Sequence, residues 1–279
     1  MSGLDPLASG VGADPLASGV GLNILSYGDH GPRVAFLHGL FGQGRNWATL
    51  GRQLAAEGYR VALPDLPDHG RSDWTTAVDY VEMASSLATE LRRLGAGWSL
   101  VGHSMGGKVA MLVALLHPRL VDRLCVVDIA PVPVRLGMFA DYVRGMRGID
   151  LGRLADRAQA DAELRAAVPD DVIRAFLLQN LRRDGDGWRW QMNLRLLGDH
   201  LQELAGWPAV PCRPYPGPVL WVAGTDSDYV RPEHAEVMRA LFPRARLIRV
   251  KHAGHWVHTE QPAVFGATLH QFLPPAATG

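Results

Sequence analysis

Seven short apolar runs recur along the chain: LNILSYG (22–28), RVAFLHG (33–39), RVALPD (60–65), WSLVGH (98–103), RLCVVDIA (123–130), PVLWVAG (218–224) and RLIRVKH (246–252). Patterns of helical spacing fill the intervals around 46–56, 80–94, 104–117, 232–241 and 262–272. Near-continuous apolar strands are the kind covered on both faces. Their alternation with helices predicts an α/β fold, a mostly parallel central sheet flanked by helices and joined by right-handed crossovers. One interval breaks the rhythm. Residues 131–217 hold no convincing strand, and DDVIRAFLLQNL (170–181) carries Val172, Ile173, Phe176 and Leu177 at helical spacing. This stretch is predicted to be a helical lid inserted between the sixth and seventh core strands. Its Trp188, Trp190, Met192 and Leu194 either line a pocket or belong to the core. The core would then comprise 22–130 and 218–279, preceded at 1–21 by a flexible tail in which DPLASGVG occurs twice, a repeat too short and too small in side chains to bury anything.

Charge excludes several classes of partner. Lys plus Arg and Asp plus Glu number 28 each, so there is no footprint for nucleic acid and no polybasic stretch for an anionic membrane. A small neutral or amphipathic ligand is the more natural partner. Cys125 and Cys212 stand far apart in no metal-ligand spacing, which predicts no disulfide framework, no metal site and a reducing, cytoplasmic setting. No run reaches the roughly 18 apolar residues of a membrane span, and the first dozen residues lack the parts of a signal peptide.

Chemistry concentrates in GHSMGG (102–107), where Ser104 has Gly102 two positions before it and Gly106 two after. It falls between a strand and a helix, so Ser104 is expected on a sharp turn whose glycines leave room for the close approach of neighbouring backbone. Such a turn lifts the hydroxyl to the carboxyl-end rim of the sheet, where α/β proteins bind ligands. It also aims the Met105 N–H at any negative charge developing there. A serine hydroxyl is a poor nucleophile without a base in hydrogen-bond reach and a group that orients the base. Of 11 histidines, His255 is the expected base, since it lies in KHAGHWVHTEQP just past the last strand run, above the same edge as Ser104. His252 and His258 are weaker competitors. His38 and His103 are expected to brace glycine turns, and His69 in DLPDHGRS either touches the site or is structural.

These motifs together resemble the α/β-hydrolases over about residues 22–272. HGLFG (38–42) is similar to that family's oxyanion loop, GHSMGG to its nucleophile elbow and GHWVH (254–258) to its histidine loop. The wording HGLFGQGRNW, GHSMGGKVAM, VDIAPV and AGHWVH resembles a subgroup of bacterial esterases related to the mitochondrial abhydrolase-domain-containing protein 11. The resemblance implies a serine carboxylesterase that hydrolyses short- to medium-chain acyl esters or thioesters through an acyl-enzyme, with no cofactor. Carbon–carbon bond hydrolysis, perhydrolysis and lactone opening run on the same scaffold, as does a non-catalytic ligand receptor.

The orienting acid departs from the commonest family pattern. Three residues past Gly224, where many members carry an aspartate, stands Ser227, flanked by Asp226 and Asp228. The esterase subgroup instead has its acid after the preceding core strand, which here is Asp128. The resemblance thus implies Asp128 as the acid, Ser227 as a supporting hydroxyl, and Leu40 beside Met105 as the oxyanion donors, with Phe41 as an alternative to Leu40. Phe41, Trp47 and Trp256 are expected to line an apolar acyl site.

Overall fold

The computed structural model describes residues 20–135 and 137–276; of the duplicated tail expected at 1–21, residues 1–19 lie outside them. The first half of the chain contributes strands β1 (Ile24–Tyr27), β2 (Arg33–Leu37), β3 (Arg60–Pro64), β4 (Trp98–His103) and β5 (Val121–Val127). Helices α1 (Ala48–Ala56), α2 (Tyr80–Leu94) and α3 (Met105–Leu116) lie between them. The insertion comes next, with α4 (Gly137–Gly148), α5 (Arg157–Leu164), α6 (Asp171–Leu178), strands β6 (Leu181–Asp184) and β7 (Gly187–Trp190), then α7 (Leu194–Asp199) and α8 (Leu201–Ala205). The chain returns to the core through β8 (Val219–Gly224), α9 (Ala235–Leu241), β9 (Ala245–Val250), α10 (Val257–Glu260) and α11 (Pro262–Phe272).

Seven strands form one sheet in the order β1-β3-β2-β4-β5-β8-β9. Every pairing is parallel except that of β1 with β3. The insertion sits where the sequence predicts, between the strand leading to Asp128 and the one beginning at Val219. Counted along the chain these are the fifth and sixth strands of this sheet.

Apolar residues pack on both faces of the sheet. Trp47, Leu54, Phe265 and Leu269 cover one face from α1, α11 and the turn before α1, while α2, α3 and the insertion cover the other. Helix α3 is buried at eleven positions from Met105 to Leu115, because the sheet lies on one side of it and α2 with the insertion on the other. Each fully buried Leu or Val there stabilises the fold by roughly 1.5–3 kcal/mol relative to exposure.

The insertion differs from the all-helical expectation in its β6–β7 hairpin, paired Leu181↔Trp190 through Asp184↔Gly187. The turn is Asp184-Gly185-Asp186-Gly187, with Gly185 at φ +57°, and such Asp-Gly steps are the usual hairpin signal. Trp190, Met192 and Leu194 are buried core residues, and the Trp188 indole N–H donates to the Leu154 carbonyl at 2.9 Å. This group therefore packs the insertion itself.

The insertion rejoins the core through a clasp. The Lys108 ammonium, buried in α3, donates to the carbonyls of Leu204 (3.3 Å), Ala205 (2.8 Å) and Gly206 (2.5 Å), and the Tyr80 hydroxyl donates to Leu204 at 2.7 Å. These are the carbonyls that a helix leaves unpaired at its C-terminus, where a cation is favoured.

Candidate active site

Parallel register aligns the carboxyl ends of three adjacent strands: His103 of β4 pairs with Val127 of β5, and Val127 with Val222 of β8. Ser104 and Asp128 thus emerge side by side. Ser104 takes φ +53°, ψ −119°, a strained conformation for a non-glycine residue. Its N–H is held by the Val127 carbonyl at 3.0 Å. Methyl groups cannot be accommodated at the flanking glycines. A Cβ on Gly102 would fall inside the Gly106 carbonyl, and one on Gly106 would meet the carbonyls of Leu37 and His38. The motif's spacing arises because α3 turns back directly under β4.

His255 lies in the loop between β9 and α10. Its Nε2 is 3.0 Å from Ser104 Oγ and its Nδ1 is 2.8 Å from Asp128 Oδ2. A carboxylate only accepts, so Nδ1 carries the proton and Nε2 is free to accept from the serine hydroxyl. Asp128 is fully buried at φ +50°. Its Oδ1 accepts from the Gly224 N–H at 3.0 Å and its Oδ2 from the Ser227 hydroxyl. Asp226 and Asp228 are exposed, and Asp226 accepts from the Thr225 hydroxyl at 3.0 Å.

Two further residues hold His255 that carry no motif in the sequence. The Tyr229 ring stacks on the imidazole at 4.0 Å between centroids. Glu260 accepts the N–H of Gly254 (2.7 Å) and of Trp256 (3.1 Å), the residues on either side of His255. A carboxylate near the start of a helix is the usual signal for such a bond.

The other histidines brace the rim. His103 donates from Nε2 to the His255 carbonyl at 2.9 Å. His38 donates from Nδ1 to Gly39 O and accepts the Leu66 N–H at Nε2, both at 2.9 Å. His69 donates to Pro67 O at 2.8 Å and accepts the Phe41 N–H at 3.2 Å. Burial, and then the neighbouring His38, push the His69 imidazole down to about 3. His252 is exposed. His258 stacks on Trp47 at 4.3 Å, and burial, then His255, push it down to about 3.

The bond from Phe41 to His69 removes Phe41 from the candidate oxyanion donors. Among the described residues no hydrogen bond from the N–H of Leu40 or Met105 to the protein is found, which leaves both donors available. Phe41 also differs from expectation in its side chain. At φ +62° the ring is fully buried, 6.0 Å from Phe139, and it forms no part of the cleft wall.

The cleft beside Ser104 and His255 measures about 290 Å³. Leu40, Trp47, Phe139, Phe176 and Trp256 supply its apolar walls. A wider cleft of about 740 Å³ opens on the other side of His255 and Trp256, lined in part by Val134, Met138 and Tyr229. Among the described residues no group of three or more His, Cys, Asp or Glu is arranged to hold a metal ion. No helix there is long and apolar enough to cross a membrane.

The family model described as alpha/beta hydrolase fold matches residues 32–262. An sn-1-specific diacylglycerol lipase, ABHD11, of Mus musculus is 39% identical over 249 residues, covering 87% of this chain and 81% of the relative. Esterase YbfF of Escherichia coli (strain K12) is 29% identical over 242 residues, covering 86% and 92% respectively. Among solved structures, a marine microorganism esterase superposes with a TM-score of 0.87 at 29% identity, covering 90% of this chain and 99% of that one.

Proposed function

The chain belongs to the α/β-hydrolase fold family and is an enzyme of the serine-hydrolase type acting on carboxylic ester bonds; on that premise we propose that Ser104 is its nucleophile, His255 its general base and Asp128 the carboxylate that orients the base. The observation that carries the assignment is the continuous hydrogen-bonded line from Ser104 Oγ through both nitrogens of His255 to Asp128.

In this reading His255 Nε2 takes the hydroxyl proton as Ser104 Oγ attacks the acyl carbonyl. Asp128 keeps the imidazole in the Nδ1–H tautomer and stabilises its cationic form. The oxyanion is received by the N–H groups of Leu40 and Met105, each contributing about 10²- to 10³-fold in rate. The imidazolium then protonates the leaving alcohol. Water enters, gives its proton to His255 and attacks the acyl-enzyme, and Ser104 is regenerated with release of the acid. Tyr229 and Glu260 act on this sequence through His255, as positioning residues.

The substrate is a small acyl ester of short to medium chain. A cleft of about 290 Å³ stands at the lower end of the range for ligand pockets, roughly 300–1,000 Å³, and its walls are apolar and aromatic. Residues 131–217 serve as the lid, since Phe139 and Phe176 reach the cleft from it. A reducing, cytoplasmic setting goes with two thiols that stand unpaired.

Turnover of p-nitrophenyl butyrate, combined with fluorophosphonate labelling, tests the assignment. Wild-type protein is expected to turn over and to label, and Ser104→Ala to do neither. Labelling that persists in Ser104→Ala, or wild-type protein inert to both reagents, overturns it.

A further inference from the structure

On the far side of the Gln43–Asn46 segment from the catalytic cleft lies a second cavity of about 250 Å³. Three guanidiniums line it from three separate pieces of chain: Arg45 from the turn before α1, Arg71 from the loop after β3, and Arg182 from β6 of the lid hairpin. Asp65 is the one carboxylate in the lining, and its oxygens already accept the N–H of Gly44 (2.7 Å), the N–H of Arg71 (2.9 Å) and the side-chain amide of Asn23 (2.8 Å). Among the described residues neither Arg45, Arg71 nor Arg182 has a carboxylate within ion-pair distance.

This convergence is not a by-product of a basic protein, because the chain as a whole is neutral. Partial burial, and then the fields of Arg45, Arg157, Arg71 and Arg189, push the Arg182 guanidinium below its ordinary value. Most of the donors remain unspent. Arg45 gives one N–H to the Gln179 carbonyl at 3.0 Å. Arg182 donates to Gln191 Oε1 at 2.9 Å and to its neighbour's carbonyl at 3.3 Å. No hydrogen bond from the Arg71 side chain to the described residues is found. Three guanidiniums gathered around a single carboxylate, Asp65, whose charge favours the cationic form of Arg45, leave an excess of positive charge that the fold holds against repulsion, and a fork of N–H donors fits a phosphate bidentately.

We propose that this cavity binds a multiply charged phosphate-type oxyanion, clamped by Arg45, Arg71 and Arg182 across the seam between core and lid. Two sources share that chemistry: free pyrophosphate, or a phosphate carried on the substrate's leaving group. The second is open because Asn46 and Gln179, neighbours of Arg45, line the catalytic cleft.

Calorimetric titration of the full chain with inorganic pyrophosphate at low ionic strength tests the site independently of any ester chemistry. Saturable binding is expected, weakened by salt and by about tenfold or more in Arg71→Gln/Arg182→Gln. Turnover of the uncharged p-nitrophenyl butyrate stays unchanged and reports that the variant is folded. Arg71→Gln alone, at an exposed loop position, gives a smaller loss and serves should the double variant misfold. A matched pair of butyrate esters, of 1,3-propanediol and of 3-hydroxypropyl phosphate, separates the sources. A preference for the phosphorylated ester that vanishes in the double variant assigns the phosphate to the substrate, and pyrophosphate binding without that preference assigns the site to the free anion. No saturable binding to folded wild-type protein up to about 10 mM, or undiminished binding in both variants, overturns the proposal.

Discussion

Ser104 and Asp128 leave neighbouring strands at the same height and with nearly the same left-handed φ, +53° and +50°, yet one turn is written into the sequence as a motif and the other is not. The difference lies in the path the chain takes beyond each turn. After Ser104 the chain doubles back at once into α3, packed so closely under β4 that the backbones of Gly102 and Gly106 touch. After Asp128 it runs out toward the lid, and the turn is steadied by long-range bonds: Asp128 N–H to Val222 O at 2.9 Å, and the Gly224 amide and Ser227 hydroxyl to the carboxylate. The first turn is likewise steadied by a bond from the adjacent strand, Ser104 N–H to Val127 O at 3.0 Å; only this turn leaves a short motif, because the helix that follows it also packs against its own strand and needs glycine at Gly102 and Gly106.

This contrast can be broken in several places. The largest effect belongs to Ser104→Ala, expected to lower kcat by about 10⁶-fold, roughly 8 kcal/mol, if the proposed nucleophile is part of a unit that acts together. Asp128→Asn should come second with about 10⁴-fold. Asp226→Asn and Asp228→Asn are expected to leave p-nitrophenyl butyrate turnover near wild type, and a large loss in either would move the orienting role off Asp128. Gly102→Ala acts on folding instead. With backbone as the obstacle, it should cost about 3 kcal/mol in denaturant unfolding, and a neutral result would refute the close-packing account of the first turn. Ser227→Ala removes one donor to a buried carboxylate, worth about 1.5–3 kcal/mol, and should lower kcat by about 10- to 100-fold with KM little changed.

Acidification gives the smallest and most selective test. The His69 imidazole that holds the Phe41 turn has its folded pKa near 3, against an unfolded value of about 6.5. Between those values the unfolded chain binds a proton that the folded chain does not, so stability falls as the pH is lowered, by about 1.4 kcal/mol per pH unit for this group. Urea unfolding of His69→Gln between pH 6 and pH 4.5, roughly the accessible part of that window, should show a slope shallower by that amount.

Periodicity alone carries the parallel sheet and the position of the insertion, because buried strands and covering helices repeat at fixed intervals. Ser104 and His255 are legible from turns with glycine punctuation. Asp128 is reached from its place at the end of a core strand, in VVDIAPV, together with resemblance to the esterase subgroup, with Asp226 and Asp228 as the alternatives. Phe41 misleads because its apolar side chain reads as a cleft wall, while in the fold the ring is fully buried beside Phe139. The lid hairpin is hidden because its Asp-Gly turn sits in a stretch dominated by helical spacing. Tyr229 and Glu260 act through contacts that exist only once β8, β9 and α10 are assembled.

The clasp at Lys108 bears on any attempt to exchange lids between proteins of this architecture. Replacing the inserted segment without the stretch at 204–206 strands a buried ammonium with no carbonyls to receive it, one helical turn from the Met105 amide on the same helix. A graft of that kind would register first as a loosening around the proposed oxyanion donor at Met105, and a Lys108→Met change in the recipient helix is the compensation to make before the foreign lid is judged incompatible.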